Sequence, residues 1–358
     1  MWFPSISTIL FLQAIWSITA IYLTRRWLHH MSYLNNESVR FSRDFHAFSR
    51  NDYPFWPKTS MYFSAIFLAP WRLVTVLLVL IFADLSIRIL QKLFRLKSLS
   101  DSHPLFRKLG SQIIKKGCWV IGKCVGMTHT YKLIRPEPSS HPQIRFRPEG
   151  KTAPIAICNH SSWTDIIFLL SQRELGFVAK DGIRSVPLVG TFARFMQSIF
   201  VRRESKSDRG AALQGIFDRL EALKNGGTFN QLLVFPEGTT TNNKYVIGFK
   251  KGAFVGESVK VFGLKYSGPI SISIASISEI DTIIAALLNL KIQIEWFEIE
   301  GVVENSNGLE PELFAEEVRK IYVKEFGFEP SDNNFRDREK FESPFLSPIL
   351  STPVAKEK

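Results

Sequence analysis

Three short stretches of this chain hold side chains suited to chemistry. The first is Asn159-His160-Ser161-Ser162-Trp163-Thr164-Asp165. Histidine is the side chain that exchanges a proton near neutral pH. A carboxylate five residues on, across a strand-to-helix turn, can accept from the ring Nδ1–H and leave Nε2 free as a base. The same spacing also fits an ordinary helix start. The second stretch is Phe235-Pro236-Glu237-Gly238-Thr239-Thr240-Thr241-Asn242. Backbone N–H groups and a carboxylate at a strand end make a place for a ligand. The plainer reading is a turn with Gly238 at positive φ. The third is Ser198-Ile199-Phe200-Val201-Arg202-Arg203. Two guanidinium groups at a strand end can grip phosphate bidentately, or simply face solvent.

The elements that must position these stretches read as α/β from residue 153 onward. Pro154–Cys158, Leu175–Ala179, Ser198–Val201, Gln231–Phe235, Val259–Tyr266, Ile270–Ile274 and Leu290–Ile299 are strand-like apolar runs. Asp165–Leu170, Asp208–Lys224 and Pro311–Phe326 are predicted helices; the last carries acidic residues first and basic residues last, as the helix dipole favours. Polar, proline-bearing sequence after Gly327 predicts a flexible tail over 330–358.

The N-terminal part reads differently. Ser5–Leu23 is apolar and free of charge, ~28 Å long as a helix, and ends at Arg25-Arg26. It has no basic residue before it and no small-x-small cleavage site after it, which predicts a retained membrane anchor over 1–30 with the remainder cytosolic. Met61–Ala83 is apolar but interrupted by Pro70-Trp71-Arg72. An arginine at mid-span costs on the order of 2.5–3.5 kcal/mol. Both flanks are basic, so residues 58–128 are expected to form a re-entrant or interfacial helix region, with a buried soluble hairpin as the plainer reading. Residues 104–127 are expected to form a basic helix near the bilayer surface.

Charge follows the same division. The 358 residues carry 45 Lys and Arg against 33 Asp and Glu, a net +12. Residues 1–150 hold +13, residues 151–260 hold +6 and residues 261–358 hold −7. Basic charge beside apolar runs suits anionic lipid better than nucleic acid, and no nucleic-acid motif is present. At 45% hydrophobic residues the chain can build a core, so wholesale disorder is excluded. Three cysteines exclude a disulfide scaffold and fit no zinc pattern.

Taken in order, the three stretches resemble the glycerolipid (lysophospholipid) acyltransferase superfamily with the H-x4-D signature, across about residues 150–275. His160 and Asp165 match its first block, Phe200, Val201 and Arg203 its second, and Glu237-Gly238-Thr239 its third. The form E-G-T-T-T-N resembles the lysophosphatidylcholine acyltransferase branch and its fungal lysophosphatidic acid relatives. Leu68–Leu73 is similar to that branch's P-x-R membrane segment, and Phe177-Val178-Ala179-Lys180 to the family's inter-motif segment. Two positions depart from the pattern: Arg202 before Arg203, and Gly263 where the fourth block usually carries proline.

The resemblance implies an acyltransferase domain over 129–329, a mixed sheet flanked by helices and preceded by N-terminal membrane helices. It implies transfer of an acyl group from acyl-CoA, a co-substrate, to the free hydroxyl of a lysophospholipid, with no cofactor and no metal. His160 would be the base and Asp165 its orienting partner. Arg203, Glu237, Gly238, Thr239 and Lys180 would bind substrate, and Lys244, Lys250 or Arg202 would supply charge that Thr240 cannot. Partners would be acyl-CoA, lysophospholipid and membrane lipids. The expected acceptor is lysophosphatidic acid, followed by lysophosphatidylcholine or lysophosphatidylethanolamine. The expected location is the endoplasmic reticulum membrane with a cytosolic catalytic domain, and lipid droplets if the membrane segments form a hairpin. Rival readings are a thiol enzyme using Cys158, a P-loop at Gly150-Lys151-Thr152, which lacks its first glycine, and a non-catalytic membrane-trafficking protein.

Overall fold

Side chains alternate along residues 155–158, and both faces of that strand are used. In the computed structural model, which describes residues 5–147, 153–202, 206–256, 258–274 and 276–341, Ala156 and Cys158 enter one core and Ile155 and Ile157 another. The same period of two recurs farther along the chain. Phe262 and Leu264 lie in the first core, Val259 and Val261 in the second; Ile292, Ile294 and Trp296 lie in the first, Phe297 and Ile299 in the second. A sheet buried on both faces needs a helical layer on each.

The strands are β1 (Met127–Ile134), β2 (Arg145–Arg147), β3 (Ile155–Ile157), β4 (Leu175–Lys180), β5 (Ile199–Val201), β6 (Gln231–Val234), β7 (Tyr245–Val246), β8 (Ser258–Ser267), β9 (Ile292–Ile299), β10 (Val302–Glu304) and β11 (Glu329–Pro330). The helices are α1 (Ile6–Arg40), α2 (Lys58–Phe67), α3 (Ala69–Leu93), α4 (Pro104–Cys124), α5 (Thr164–Gln172), α6 (Val189–Phe195), α7 (Lys206–Lys224), α8 (Glu279–Leu288) and α9 (Pro311–Lys324). The sheet runs β1-β9-β8-β3-β6-β4-β5. Pairing is parallel except between β8 and β9, and β10 joins β8 and β2 antiparallel. It is a mixed α/β sheet flanked by helices. The first core packs residues of α3, α4, α5 and α6 on one face; the second packs residues of α7 and α9 on the other.

β3 lies between β6 and β8. The chain leaves β3 toward β4 on one side and returns through β6 to β8 on the other. The loops after β3 and β6 therefore leave the same edge of two neighbouring parallel strands, where α/β sheets open a crevice.

The N-terminal helices join this body through a third core. Leu28, Met31 and Leu34 of α1 and Met61 and Ala65 of α2 meet Ile277, Ala285 and Leu288 around α8. Trp27 Nε1 donates to Asp281 Oδ1 at 2.9 Å. The break between α2 and α3 falls at Leu68, with Pro70 in the first turn of α3, where its missing N–H costs no helical bond. Arg72 donates to the carbonyls of Leu287 and Asn289 at 2.7 and 2.6 Å. Its charge thus meets the carbonyl end of α8. Among the described residues, α3 is a helix long and apolar enough to cross a membrane. Its Leu77, Leu78, Phe82, Leu85 and Ile89 are exposed, as are Leu10, Phe11, Leu12 and Ile18 of α1.

Two expectations are corrected. Residues 270–274 form no strand: their backbone groups bond to loops instead of a ladder. Ser271 N donates to Asp52 Oδ2 and Ile274 N to the Ser161 carbonyl, each at 2.9 Å. The tail does not begin at 330. Residues 329–330 pair with β7, residues 335–341 are helical, and Phe341 is buried against Phe45 and Phe48. The remainder of that predicted tail, 342–358, and Gly150-Lys151-Thr152 lie outside the described residues.

Candidate active site

β3 delivers Asn159 and His160 to the crevice, and α5 begins at Thr164. The turn between them is set by Asp165. Its Oδ2 accepts the amide N–H groups of Ser161 and Ser162 at 2.8 and 3.0 Å. The same oxygen lies 2.8 Å from His160 Nδ1. A carboxylate there holds the proton on Nδ1 and leaves Nε2 as the basic nitrogen. Asp165 Oδ1 accepts the Tyr266 hydroxyl at 2.6 Å. Asp165 is fully buried, yet four donors compensate its charge.

The His160 ring stacks on Phe235, with centroids 3.9 Å apart and planes at 13°. Its side chain keeps 21% exposure, so the ring is held on one face and open at its rim. Among the described residues nothing bonds Nε2. Asn159 turns inward instead: its amide exchanges two hydrogen bonds with the Leu264 backbone, 2.9 and 2.8 Å, which ties the end of β3 to β8.

Glu237 follows β6 and was expected to bind substrate. In the structure its carboxyl oxygens meet two backbone amides. It is 1% exposed, Oε2 accepts the His160 amide N–H at 2.8 Å, and Oε1 accepts that of Ile247 at 3.3 Å. The carboxyl braces the backbone of the His160 turn from behind. Burial pushes it up to about 8, and the nearby Asp165 charge adds to this while the two amide bonds oppose it.

Gly238 has φ +70°, and a Cβ there would come within 2.3 Å of Lys250 Nζ. The positive φ calls for glycine, and the Lys250 side chain lies over it. Thr239 is partly exposed beside it. Lys180 is exposed at the end of β4, in register with Val201, and Arg202 pairs with Asp181 at 3.4 Å. Arg203 lies outside the described residues. Lys244 pairs with Glu329 at 3.2 Å. The structure thus brings His160, Asp165, Glu237 and Gly238 together and leaves Lys180 and Arg202 at the neighbouring strand ends.

Three further residues have a part in the site: Asn242 was read only as the close of E-G-T-T-T-N, and Asn243 and Tyr266 went unread in the sequence. Asn243 (φ +66°) donates to the Ser161 hydroxyl and Leu264 carbonyl and accepts from Tyr266 N–H. Asn242 donates to the carbonyls of His46 and Ser49, both at 2.8 Å. Tyr266 closes the circle on Asp165. Only the asparagine pair directly after the third motif carried a signal, since Asn tolerates positive φ. A cavity of about 410 Å³ is lined by Asn242, Asn243, Lys265 and Tyr266, and His160 is not part of its wall.

Cys158 is fully buried, and burial pushes its thiol well above the ordinary range. A buried protonated thiol is no nucleophile. Gly263, where the resemblance expects proline, carries the Phe326 ring against its backbone; a Cβ would come within 2.6 Å of it.

Residues 139–256 match the family model described as Acyltransferase. It is similar to lysophospholipid acyltransferase LPEAT1 of Arabidopsis thaliana, 31% identical over 173 residues, 47% of this chain and 44% of that protein. It is also similar to lysophosphatidylcholine acyltransferase of Drosophila melanogaster, 29% identical over 199 residues, 52% of this chain and 36% of that protein. The chain spans less than half the length of these curated relatives. A crystal structure of a 1-acyl-sn-glycerophosphate acyltransferase from Thermotoga maritima aligns with 71% of this chain and 97% of its own, at 23% identity and a TM-score of 0.43.

Proposed function

We propose that this protein transfers an acyl group from acyl-CoA to the free hydroxyl of a lysophospholipid. One observation carries the reading: a partly exposed histidine at the sheet's crevice edge whose Nδ1 is fixed by a buried, fully hydrogen-bonded carboxylate. His160 Nε2 takes the hydroxyl proton as the oxygen attacks the thioester carbonyl. The tetrahedral intermediate expels the CoA thiolate, which receives that proton from Nε2. Asp165 keeps the Nδ1 proton and stabilises the imidazolium. A thioester is already activated, so no covalent nucleophile, cofactor or metal is required.

Lysophosphatidic acid is the acceptor we favour, because Lys250 lies over Gly238 and Lys180 and Arg202 stand at the adjoining strand ends. Thr239 and Arg203 belong to the same proposed phosphate-binding group. Lysophosphatidylcholine or lysophosphatidylethanolamine is the second reading, supported by the names of the relatives. The exposed apolar faces of α1 and α3 and the basic excess of residues 1–150 fit residence in the endoplasmic reticulum membrane with the site on the cytosolic side, and lipid droplets as a further location. Mass spectrometry of products from purified protein given mixed lysolipids and mixed acyl-CoAs tests the reaction and its acceptor, with His160→Ala as control. Product from wild type alone supports the reading; equal product from both ends it.

A further inference from the structure

Asp165 is served unequally at its two oxygens. Oδ2 has three N–H donors: His160 Nδ1 and the amides of Ser161 and Ser162. Oδ1 has one bond among the described residues, from the Tyr266 hydroxyl at 2.6 Å. Tyr266 comes from β8, 101 residues later in the chain. It is held at its backbone by Asn243 Oδ1 (2.6 Å), and its hydroxyl lies 3.4 Å from Thr164 Oγ1. Asn243 in turn donates to Ser161 Oγ at 2.6 Å.

We infer that Tyr266 is a positioning residue for acyl transfer: its hydroxyl fixes the second oxygen of Asp165 and moderates the charge that Asp165 presents to His160. This rests on the transfer reading above. A short O–H···O⁻ bond draws charge from the carboxylate, so the other oxygen attracts the imidazolium less than an unpaired carboxylate would. The same bond locks the carboxylate plane against rotation. Burial beside Asp165 pushes the Tyr266 phenol well above its usual range, so the hydroxyl remains a donor at every working pH.

The charged and titratable groups around the pair come from several elements. They are Cys158 on β3, Glu237 after β6, Tyr266 on β8 and Tyr322 on α9, with the Lys250 ammonium over Gly238. Of these Tyr266 alone bonds Asp165, and Tyr322 spends its hydroxyl on the Phe262 carbonyl. Loss of the Tyr266 hydroxyl therefore acts chiefly on Asp165, and besides it removes only the longer 3.4 Å bond from the Thr164 hydroxyl.

The test measures kcat, both KM values and the pH dependence of activity in the full-length protein. Tyr266→Phe is expected to lower kcat about tenfold with KM nearly unchanged, the mark of an interaction that matters in the transition state. Its half-activity point on the acid side should move to higher pH, because the undiluted carboxylate holds the imidazolium proton more tightly. Site-specific replacement of Tyr266 by 3,5-difluorotyrosine keeps the shape and strengthens the donor, so that point should move to lower pH. This second arm decides the matter if the Phe variant does not fold. Profiles that superimpose on wild type, a loss confined to KM, or the same direction of shift in both variants would overturn the inference. Absence of transfer by the wild-type protein would instead overturn the reading on which it rests.

Discussion

Glu237 and His160 are joined side chain to backbone: the Glu237 carboxyl accepts the His160 amide N–H at 2.8 Å and never reaches the ring. This bond holds the ends of β3 and β6 at one height, and it explains why a carboxyl is kept where burial disfavours its charge. In the folded protein Glu237 holds its proton up to about 8, against an ordinary value of 4.5. Between those values the folded state binds a proton that the unfolded chain has released. The group's contribution is therefore complete below pH 4.5 and is lost as pH climbs toward 8. Tm in detergent is expected to fall from pH 5.5 to pH 8, and Glu237→Gln should flatten that slope. Parallel slopes in the two proteins would refute the assignment.

His160→Ala should lower activity by about 10²–10⁴-fold while Tm changes little, since the ring is partly exposed and braced on one face by Phe235. Transfer of labelled acyl groups and a melting curve, recorded on the same preparation, check both halves. A large loss of Tm would mean the ring is part of the scaffold.

Cys158→Ala should keep its activity within a few-fold, at a stability cost of about 1 kcal/mol from the small void left in the first core. N-ethylmaleimide should leave the native enzyme active. Inactivation that Cys158→Ala abolishes would restore the thiol as a participant.

Arg72→Ala should destabilise the protein by about 2–3 kcal/mol, because two carbonyls at the end of α8 lose a charged donor. Chemical denaturation in detergent reads this. An unchanged midpoint would show that Ser64, which also donates to Leu287, suffices alone.

What could be read in the sequence was local. His160 and Asp165 sit within one turn, so their contact follows from a strand meeting a helix. Most strands from 155 to 299 showed as short apolar runs; the two-residue β7 was too short to show, and Ile270–Ile274, an I-S-I-S-I pattern, meets loop partners instead of a neighbouring strand. What depended on distance was not readable. Tyr266 reaches Asp165 across 101 residues, and no spacing rule connects them. Glu237 carries the right residue type in the right motif, but burial decides whether a carboxyl meets substrate or backbone, and burial is a property of the packed whole. α8, with its Ile-Ile-Ala-Ala-Leu-Leu run, went unrecognised because it carries apolar residues on its exposed side as well, where Ile280 and Ile283 face out. The polar stretch after 330 concealed Phe341, a single side chain that anchors it.

The Asn242 amide spans more than a loop. Through the carbonyls of His46 and Ser49, and through Arg338, which donates to the Ile274 and Thr240 carbonyls, the third motif is sutured to residues far outside 139–256. The stretch by which a lineage is recognised is thus smaller than the stretch that keeps its loop in shape. Grafted alone onto another scaffold, it would arrive with its seams open.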